Sequence, residues 1–269
     1  MYLIFRSTPV TEPFTFDCID RHWDQSDTYR EHGLPFYHYL QTETGKGVVK
    51  VADKEFVLHE NEGIIIAPFV KHSYHRLEEE WDTCFISFTG IIESSIPRII
   101  GEFPYIFYSA EKGHLTAALI DTCIKNYSKH FPADMNQTSI DCYQILLHLA
   151  SENQKENLND DPLFSRYVRP VLKEIENNYS QSMTVDELSK TVFISPQYLS
   201  RLFQKFFNCS TNDYIIKFRI SKAKELLISR PNVSIQDIAY LSGFNDVSHF
   251  IALFRKKTGY TPLEFRKNN

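Results

Sequence analysis

Long apolar runs are missing from this 269-residue chain. None approaches the roughly 20 residues that a membrane-spanning helix needs, so no spanning segment is expected. The opening residues, Met1-Tyr2-Leu3-Ile4-Phe5-Arg6, lack the basic start and extended apolar stretch of a secretory leader. Cysteine is sparse: Cys18, Cys84, Cys123, Cys142 and Cys209 are odd in number, scattered, and never spaced Cys-x-x-Cys. That pattern argues against a disulfide frame or a thiolate zinc site, and for buried free thiols in a reducing, cytoplasmic compartment. No His-x-His pair occurs. What is present, 42% hydrophobic residues in a chain of this length, suffices for two ordinary cores.

Positive charge is also scarce overall, with a net charge of −5, which taken alone argues against a nucleic-acid partner. The deficit is uneven. Residues 1–163 hold 13 Lys/Arg against 25 Asp/Glu, a net of −12, whereas residues 164–269 hold 16 against 9, a net of +7. An acidic module joined to a basic one suits a protein in which only one half meets phosphates.

The hydrophobic period divides the chain in the same place. From about residue 14 to 90, short β-rich runs alternate with glycine and proline: Val48–Val51 and Glu55–Leu58 flank a polar turn at Asp53-Lys54, and Gly63 opens Ile64–Ala67 before Pro68. This reads as an antiparallel barrel or jelly roll. Between Lys112 and about Asn153 the period becomes helical, with Leu115, Leu119, Ile120, Cys123 and Ile124 on one stripe. Ile140, Tyr143, Leu146, Leu147 and Ala150 form another, beyond a break at Phe131–Asp134. The polar stretch 153–163 reads as a linker between a domain over 1–152 and a helical one over 164–269. The fold class is therefore α+β: an N-terminal antiparallel barrel with two helices, then an all-α domain.

The helical domain repeats itself. Thr184-Val-Asp-Glu-Leu-Ser-Lys matches Ser234-Ile-Gln-Asp-Ile-Ala-Tyr at an offset of 50, and Ser195-Pro-Gln-Tyr-Leu-Ser-Arg-Leu-Phe matches Asp246-Val-Ser-His-Phe-Ile-Ala-Leu-Phe at 51. The extra residue falls in the turn between the two helices of each unit. Thr184 and Ser234 are N-caps with an acid three residues on, Glu187 and Asp237. Ser195 and Asp246 cap the second helices and are themselves candidates for DNA contact, and Pro196 occupies a first helical position where a missing N–H costs nothing. The second helices bury Leu199, Leu202 and Phe203, or Phe250, Leu253 and Phe254. Their other faces show Gln197, Tyr198, Ser200, Arg201, Gln204 and Lys205 in one unit, and Asn245, Ser248, His249, Ala252, Arg255 and Lys256 in the other. A short helix with a small polar and basic face, braced by a second helix, fits a major groove. A connecting helix, Tyr214–Ser229, with Ile215, Phe218, Ile220, Ala223 and Leu227 on one stripe, would fix the two units for adjacent grooves.

The order Ile238-Ala239-x-x-Ser-Gly243-Phe244, then Phe250-x-x-x-Phe254-Arg-Lys-Lys-Thr-Gly259-Tyr-Thr-Pro262-x-x-Phe-Arg266, resembles the C-terminal signature of AraC/XylS-type transcription regulators. The resemblance implies a sequence-specific regulator of double-stranded promoter DNA with two helix-turn-helix units, not an enzyme and without a cofactor. Activation through RNA polymerase is the family habit. The contact roles it implies fall on Gln197, Ser200, Arg201, Ser248 and His249. Family members commonly carry Arg where this chain has Ala252, so the second unit is expected to hold phosphates rather than read bases.

Gly45-Lys-Gly47, Pro68-x-x-x-His72-x-Tyr74 and Trp81-x-x-x-x-x-x-Phe88-x-Gly90 resemble the cupin-like effector domain of the same family. Positions that hold sugar in its arabinose-binding member correspond to Arg30, Tyr74, Thr83 and Phe85. Trp81 shares strand parity with the last two, so a small-molecule effector, a sugar among others, is expected there. Arg30 reads equally as a ligand anchor or as half of a buried salt bridge, and Tyr74 and Trp81 also read as core aromatics. The closest approach to a metal pair is His72-x-x-His75, and on a strand that spacing puts the two on opposite faces. A metal-dependent cupin enzyme is the alternative this disfavours; a barrel that binds no small molecule is another. The two helices of the first domain are expected to pair two chains into a homodimer.

Overall fold

A computed structural model describes residues 10–51, 54–101, 103–128, 134–150, 161–207 and 209–267, together with the backbone of Ile4, Phe5 and Lys129. The chain divides into two compact units, Met1–Glu152 and Asn153–Asn269. The stretch read as a linker, 153–163, lies outside the described residues as far as 160; Asp161 then caps a helical run that opens at Pro162, its Oδ1 accepting from Leu163 N at 2.8 Å.

The first unit is one antiparallel sheet of eight strands: β1 (Ile4–Phe5), β2 (Thr15–Asp24), β3 (Thr28–Arg30), β4 (Tyr37–Val51), β5 (Lys54–Leu58), β6 (Gly63–Ile66), β7 (His72–Thr89) and β8 (Tyr105–Tyr108). The path β1-β2-β7-β4-β6-β8 is joined by β3 on β7 and β5 on β4. Val51 pairs with Lys54, so the expected hairpin forms with Lys54 already in its strand, one residue earlier than read. The turn residues 52–53 lie outside the described residues.

Two long strands, β4 and β7, run side by side from Tyr37↔Phe88 to Val51↔His72 and carry bulges at Thr42/Thr44 and Gly45/Gly47. A bulge bends a strand and deepens its twist. The bends let the two halves of each strand share one core: Leu40, Val49, Val51, Leu58, Ile64, Ile66, Val70, Tyr74 and Trp81 pack together inside the curl. Gly47 is required there, since a Cβ would lie 2.4 Å from the Trp81 ring. The outer face buries Phe16, Ile19, Tyr39, Ile65, Ile86 and Phe88 against the helices α2 (Ala110–Lys129) and α3 (Met135–Ala150). A short helix not expected from the sequence, α1 (Ile96–Ile100), completes that layer.

The helical stripes follow expectation in part. Those that meet the sheet are Ile120, Cys123, Ile124 and Tyr127 on α2, and Cys142, Ile145, Leu146 and Leu149 on α3. Leu115, Ile140, Tyr143 and Leu147, on the expected apolar stripes, are exposed. Helix α3 is apolar on two adjoining stripes, and periodicity alone does not say which one the sheet takes.

The second unit begins with one wide turn, Phe164–Val168, and α4 (Arg169–Asn178), followed by α5 (Val185–Thr191), α6 (Pro196–Phe207), α7 (Thr211–Ser229), α8 (Ile235–Leu241), α9 (Val247–Thr258) and α10 (Pro262–Lys267). Helix α7 opens three residues before the expected Tyr214, because Ser210 caps it through Asp213 N at 3.1 Å.

Candidate functional site

In the second unit each α-turn-α pair starts where its cap dictates. Thr184 and Glu187 form a reciprocal capping box at α5. Ser234 Oγ accepts from Asp237 N at 3.0 Å at α8. The second helices are fixed likewise: Tyr198 N donates to Ser195 Oγ at 3.2 Å, and His249 N to Asp246 Oδ1 at 2.9 Å. Ser195 and Asp246, both candidates for DNA contact, thus already spend an acceptor on their own helices. The buried sides are as expected, with Leu199, Leu202 and Phe203 under α6 and Phe250 and Phe254 under α9; Leu253 is half-buried.

On α6, Gln197, Arg201, Gln204 and Lys205 are exposed while Tyr198 and Ser200 are half-buried. On α9 and its turn, Asn245, Asp246, Ser248, His249, Ala252, Arg255 and Lys256 are all exposed. The cations are not equivalent. Lys205 is paired with Asp161 at 2.8 Å, and Lys257 and Lys217 share Asp213 at 2.9 and 3.3 Å. The two lysines outweigh burial and hold the Asp213 carboxyl below its usual range. Arg219 donates to Tyr179 O and Gln181 O, both at 2.8 Å, tying α7 to the end of α4. Arg201, Arg255 and Lys256 form no ion pair among the described residues. Arg201 lies 5.9 Å over the Tyr198 ring, Tyr198 meets Tyr167 edge-on at 6.1 Å, and Arg166 lies 5.2 Å over Tyr167. This ladder adds Arg166, an exposed cation the repeat could not reveal because it lies before the first unit.

The turns differ too. Gly243 has φ +89°, and a Cβ there would come within 2.3 Å of Tyr179 O. Its counterpart Phe193 adopts φ +58° with its side chain 94% exposed, and nothing in the structure explains a phenylalanine there.

Inside the sheet, the effector candidates separate into two groups. Trp81 is sealed: its indole N–H donates to Thr42 Oγ1 at 3.0 Å and its ring covers Gly47. Thr83 is fully buried, its hydroxyl 3.5 Å from Trp23 O. Arg30, Tyr74 and Phe85 gather with residues that sequence reasoning passed over. Arg30 stands opposite His72, whose ring centre is 5.2 Å from that of Tyr74; His38 lies 6.4 Å from Tyr74 and 5.9 Å from Phe85, and Trp23 meets Phe85 edge-on at 5.8 Å. His38 Nδ1 bonds Ser87 Oγ at 2.9 Å. Burial, then the charges of His72 and Arg30, push the His38 ring well below its usual pKa. Burial also raises the Tyr74 phenol and takes the Cys18 thiol up to about 11. His75, by contrast, is exposed beside Asp27, on the other face from His72. Among the described residues no group of three His, Cys, Asp or Glu is placed to hold a metal ion, and no helix is long and apolar enough to cross a membrane.

Comparison with known proteins matches both units. Residues 13–136 fit an AraC-like ligand binding domain and residues 188–268 a helix-turn-helix domain. An HTH-type transcriptional regulator from the cgkA 5′ region of Pseudoalteromonas carrageenovora is 31% identical over 118 residues, 44% of this chain and 69% of that protein. The Msm operon regulatory protein of Streptococcus mutans is 24% identical over 252 residues, covering 92% of this chain and 88% of its own length. The crystal structure of ToxT from Vibrio cholerae O395 superposes with a TM-score of 0.54 at 14% identity, over 95% of this chain and 97% of that one. With a ligand-binding sheet domain and a tandem helix-turn-helix domain, the chain belongs to the AraC/XylS family of DNA-binding transcription regulators.

Proposed function

We propose that this regulator binds promoter DNA as a homodimer in the cytoplasm and activates transcription, through contact with RNA polymerase, in response to a small-molecule effector. The observation that carries the reading is the face of α6, where Gln197, Arg201 and Gln204 stand clear of the core and Arg201 has no carboxylate partner among the described residues. Arg201 reads a guanine edge, a contact that discriminates by roughly 1–3 kcal/mol. Helix α9, short of a long side chain at Ala252, holds phosphates through Arg255 and Lys256. The effector, of the sugar class or chemically close to it, lies among Arg30, Tyr74 and Phe85, with Trp81 and Thr83 behind them. Ile140, Tyr143 and Leu147, one exposed stripe of α3, pack against the same stripe of a second chain.

The test is a salt titration of the full-length protein on duplex DNA from upstream of its own gene and on random duplex of equal length. A preference for the upstream duplex that survives at physiological salt supports the reading. Equal affinity for both at every salt concentration overturns it.

A further inference from the structure

Arg30 on β3 is paired across the sheet with His72 on β7, and cross-strand partners direct their side chains to one face. The guanidinium is half-buried, its Nε has no hydrogen-bond partner, and among the described residues no carboxylate reaches it. Of the two roles open to Arg30, the salt bridge is therefore absent among the described residues. Asp20, the buried acid of β2, turns Oδ1 to the Arg21 amide. A buried donor without a partner is costly, and several such groups gathered together mark a place where a ligand supplies what is missing.

Two neighbours share the condition. Tyr74 Oη and His72 Nε2 are buried without a partner, in side chains 1% and 2% exposed. His72 Nδ1 donates to Val70 O at 2.7 Å, so the other nitrogen of the neutral ring is a lone-pair acceptor. Burial, helped by the Arg30 charge and opposed by the Val70 bond, lowers that ring to about 4, which keeps it neutral at ordinary pH. The three groups make distinct demands: the guanidinium wants an anion, the phenol offers a proton to an oxygen, and the imidazole asks for one from a hydroxyl. Phe85 and Trp23 add apolar faces beside them.

We propose that the effector is a hydroxylated carboxylic acid of the sugar-acid type, its carboxylate on Arg30 and Tyr74, a hydroxyl on His72 and its carbon skeleton against Phe85 and Trp23. This rests on the effector reading above and narrows it. A neutral sugar leaves the guanidinium without a counter-charge, and an acid lacking a hydroxyl leaves His72 Nε2 without a donor.

The experiment measures thermal shift and titration calorimetry on the full-length protein with matched probes: D-glucuronate against D-glucose, D-galacturonate against D-galactose, and 4-hydroxybenzoate against benzoate. The hydroxy acid of at least one pair is expected to bind about tenfold or more tightly than its partner. Arg30→Gln should abolish that binding, while His72→Phe should erase the preference for hydroxybenzoate over benzoate. The unliganded Arg30→Gln protein should melt no lower than the wild type, because no ion pair or hydrogen bond of the guanidinium among the described residues is lost with it. A neutral sugar that binds as well as its acid overturns this inference and leaves the effector reading standing. Silence from every probe overturns the inference, and if Arg30→Gln also melts lower, Arg30 is structural and the effector reading fails with it.

Discussion

Two left-handed glycines in the DNA-binding unit allow backbone conformation and close packing to be weighed separately. Gly243, in the turn before α9, has φ +89°, and Gly259, which ends α9, has φ +84°. An alanine at either position meets the steric cost of the left-handed region, about 1 kcal/mol. At Gly259 that is all, because a Cβ there has nothing within 4 Å. At Gly243 the Cβ falls 2.3 Å from Tyr179 O and 2.8 Å from Arg219 Nε, the two ends of the bond that ties α7 to α4. One charge-assisted hydrogen bond must break, which costs roughly 1.5–3 kcal/mol and, for this half-exposed arginine, the lower part of that range. Gly259→Ala should therefore destabilise by about 1 kcal/mol and Gly243→Ala by about 3 kcal/mol. Both tryptophans, Trp23 and Trp81, lie in the sheet unit, so fluorescence does not see this loss. Hydrogen exchange does: at 1.4 kcal/mol per tenfold, amides of α8 and α9 whose exchange requires unfolding of the unit should exchange about fivefold faster in the first variant and roughly 100-fold faster in the second. Amides of the sheet unit serve as the internal control. Equal acceleration in the two variants would show that Arg219 steps aside without cost, and the packing argument would fail.

Arg201→Ala should relax the sequence preference at one base pair, whereas Arg255→Ala should weaken binding to every duplex and lower the salt slope by about one; a logo measured by selection and a salt titration separate the two. Asp161→Asn keeps an N-cap for the first helix but releases Lys205, so affinity for DNA should rise and the salt slope steepen by about one; an unchanged slope means Lys205 does not meet phosphate. Leu147→Glu, on the exposed stripe of α3, should convert dimer to monomer in sedimentation without lowering the melting temperature, and a dimer that persists refutes the α3 interface. His72 is held down to about 4 in the fold against an ordinary 6.5, so the unfolded chain takes up the extra proton between those values. The sheet unit should lose stability as pH falls from 6.5 toward 4, tryptophan-detected melting should show it, and His72→Gln should flatten the slope.

The helical unit was legible almost to the residue, because its signals are local. A cap and a 3.6-residue stripe fix α5, α6, α8 and α9, with an acid three positions after the cap at α5 and α8, without reference to anything distant, and the repeat supplies each assignment twice. Where local signals are ambiguous the reading slipped. Helix α3 is apolar on two adjoining stripes, 142/145/146/149 and 140/143/147, and only the position of the sheet decides which is core. The stripe left outside is the one a second chain would have to cover, so the misplacement and the proposed interface have a single cause. The turn of the first unit shows a different limit. Its backbone is as left-handed at Phe193 as at Gly243, yet only the glycine announces it.

The candidate effector site was half legible for a reason of strand geometry. Parity correctly placed Trp81, Thr83 and Phe85 on one face, because β7 runs regularly from Trp81 to Thr89. It could not carry across the irregularity between Trp81 and Arg76, where β7 takes extra residues opposite Gly45 to Gly47 of β4 and its alternation restarts. His72 and Tyr74 lie beyond it, and only the register Val49↔Tyr74 and Val51↔His72 shows that they turn to the same interior as Phe85. The histidines were judged by spacing along one strand, which rules out His72 with His75 as a metal pair but is silent on His72 with His38, brought together by neighbouring strands. Trp81, the most conspicuous aromatic in the sequence, has its indole N–H already spent on Thr42, while among the described residues Arg30 Nε, on a three-residue strand, has no hydrogen-bond partner. Residue type indicates what a side chain is able to bind; whether it is still free to bind depends on cross-strand register, and that is where the chemistry of this site was decided.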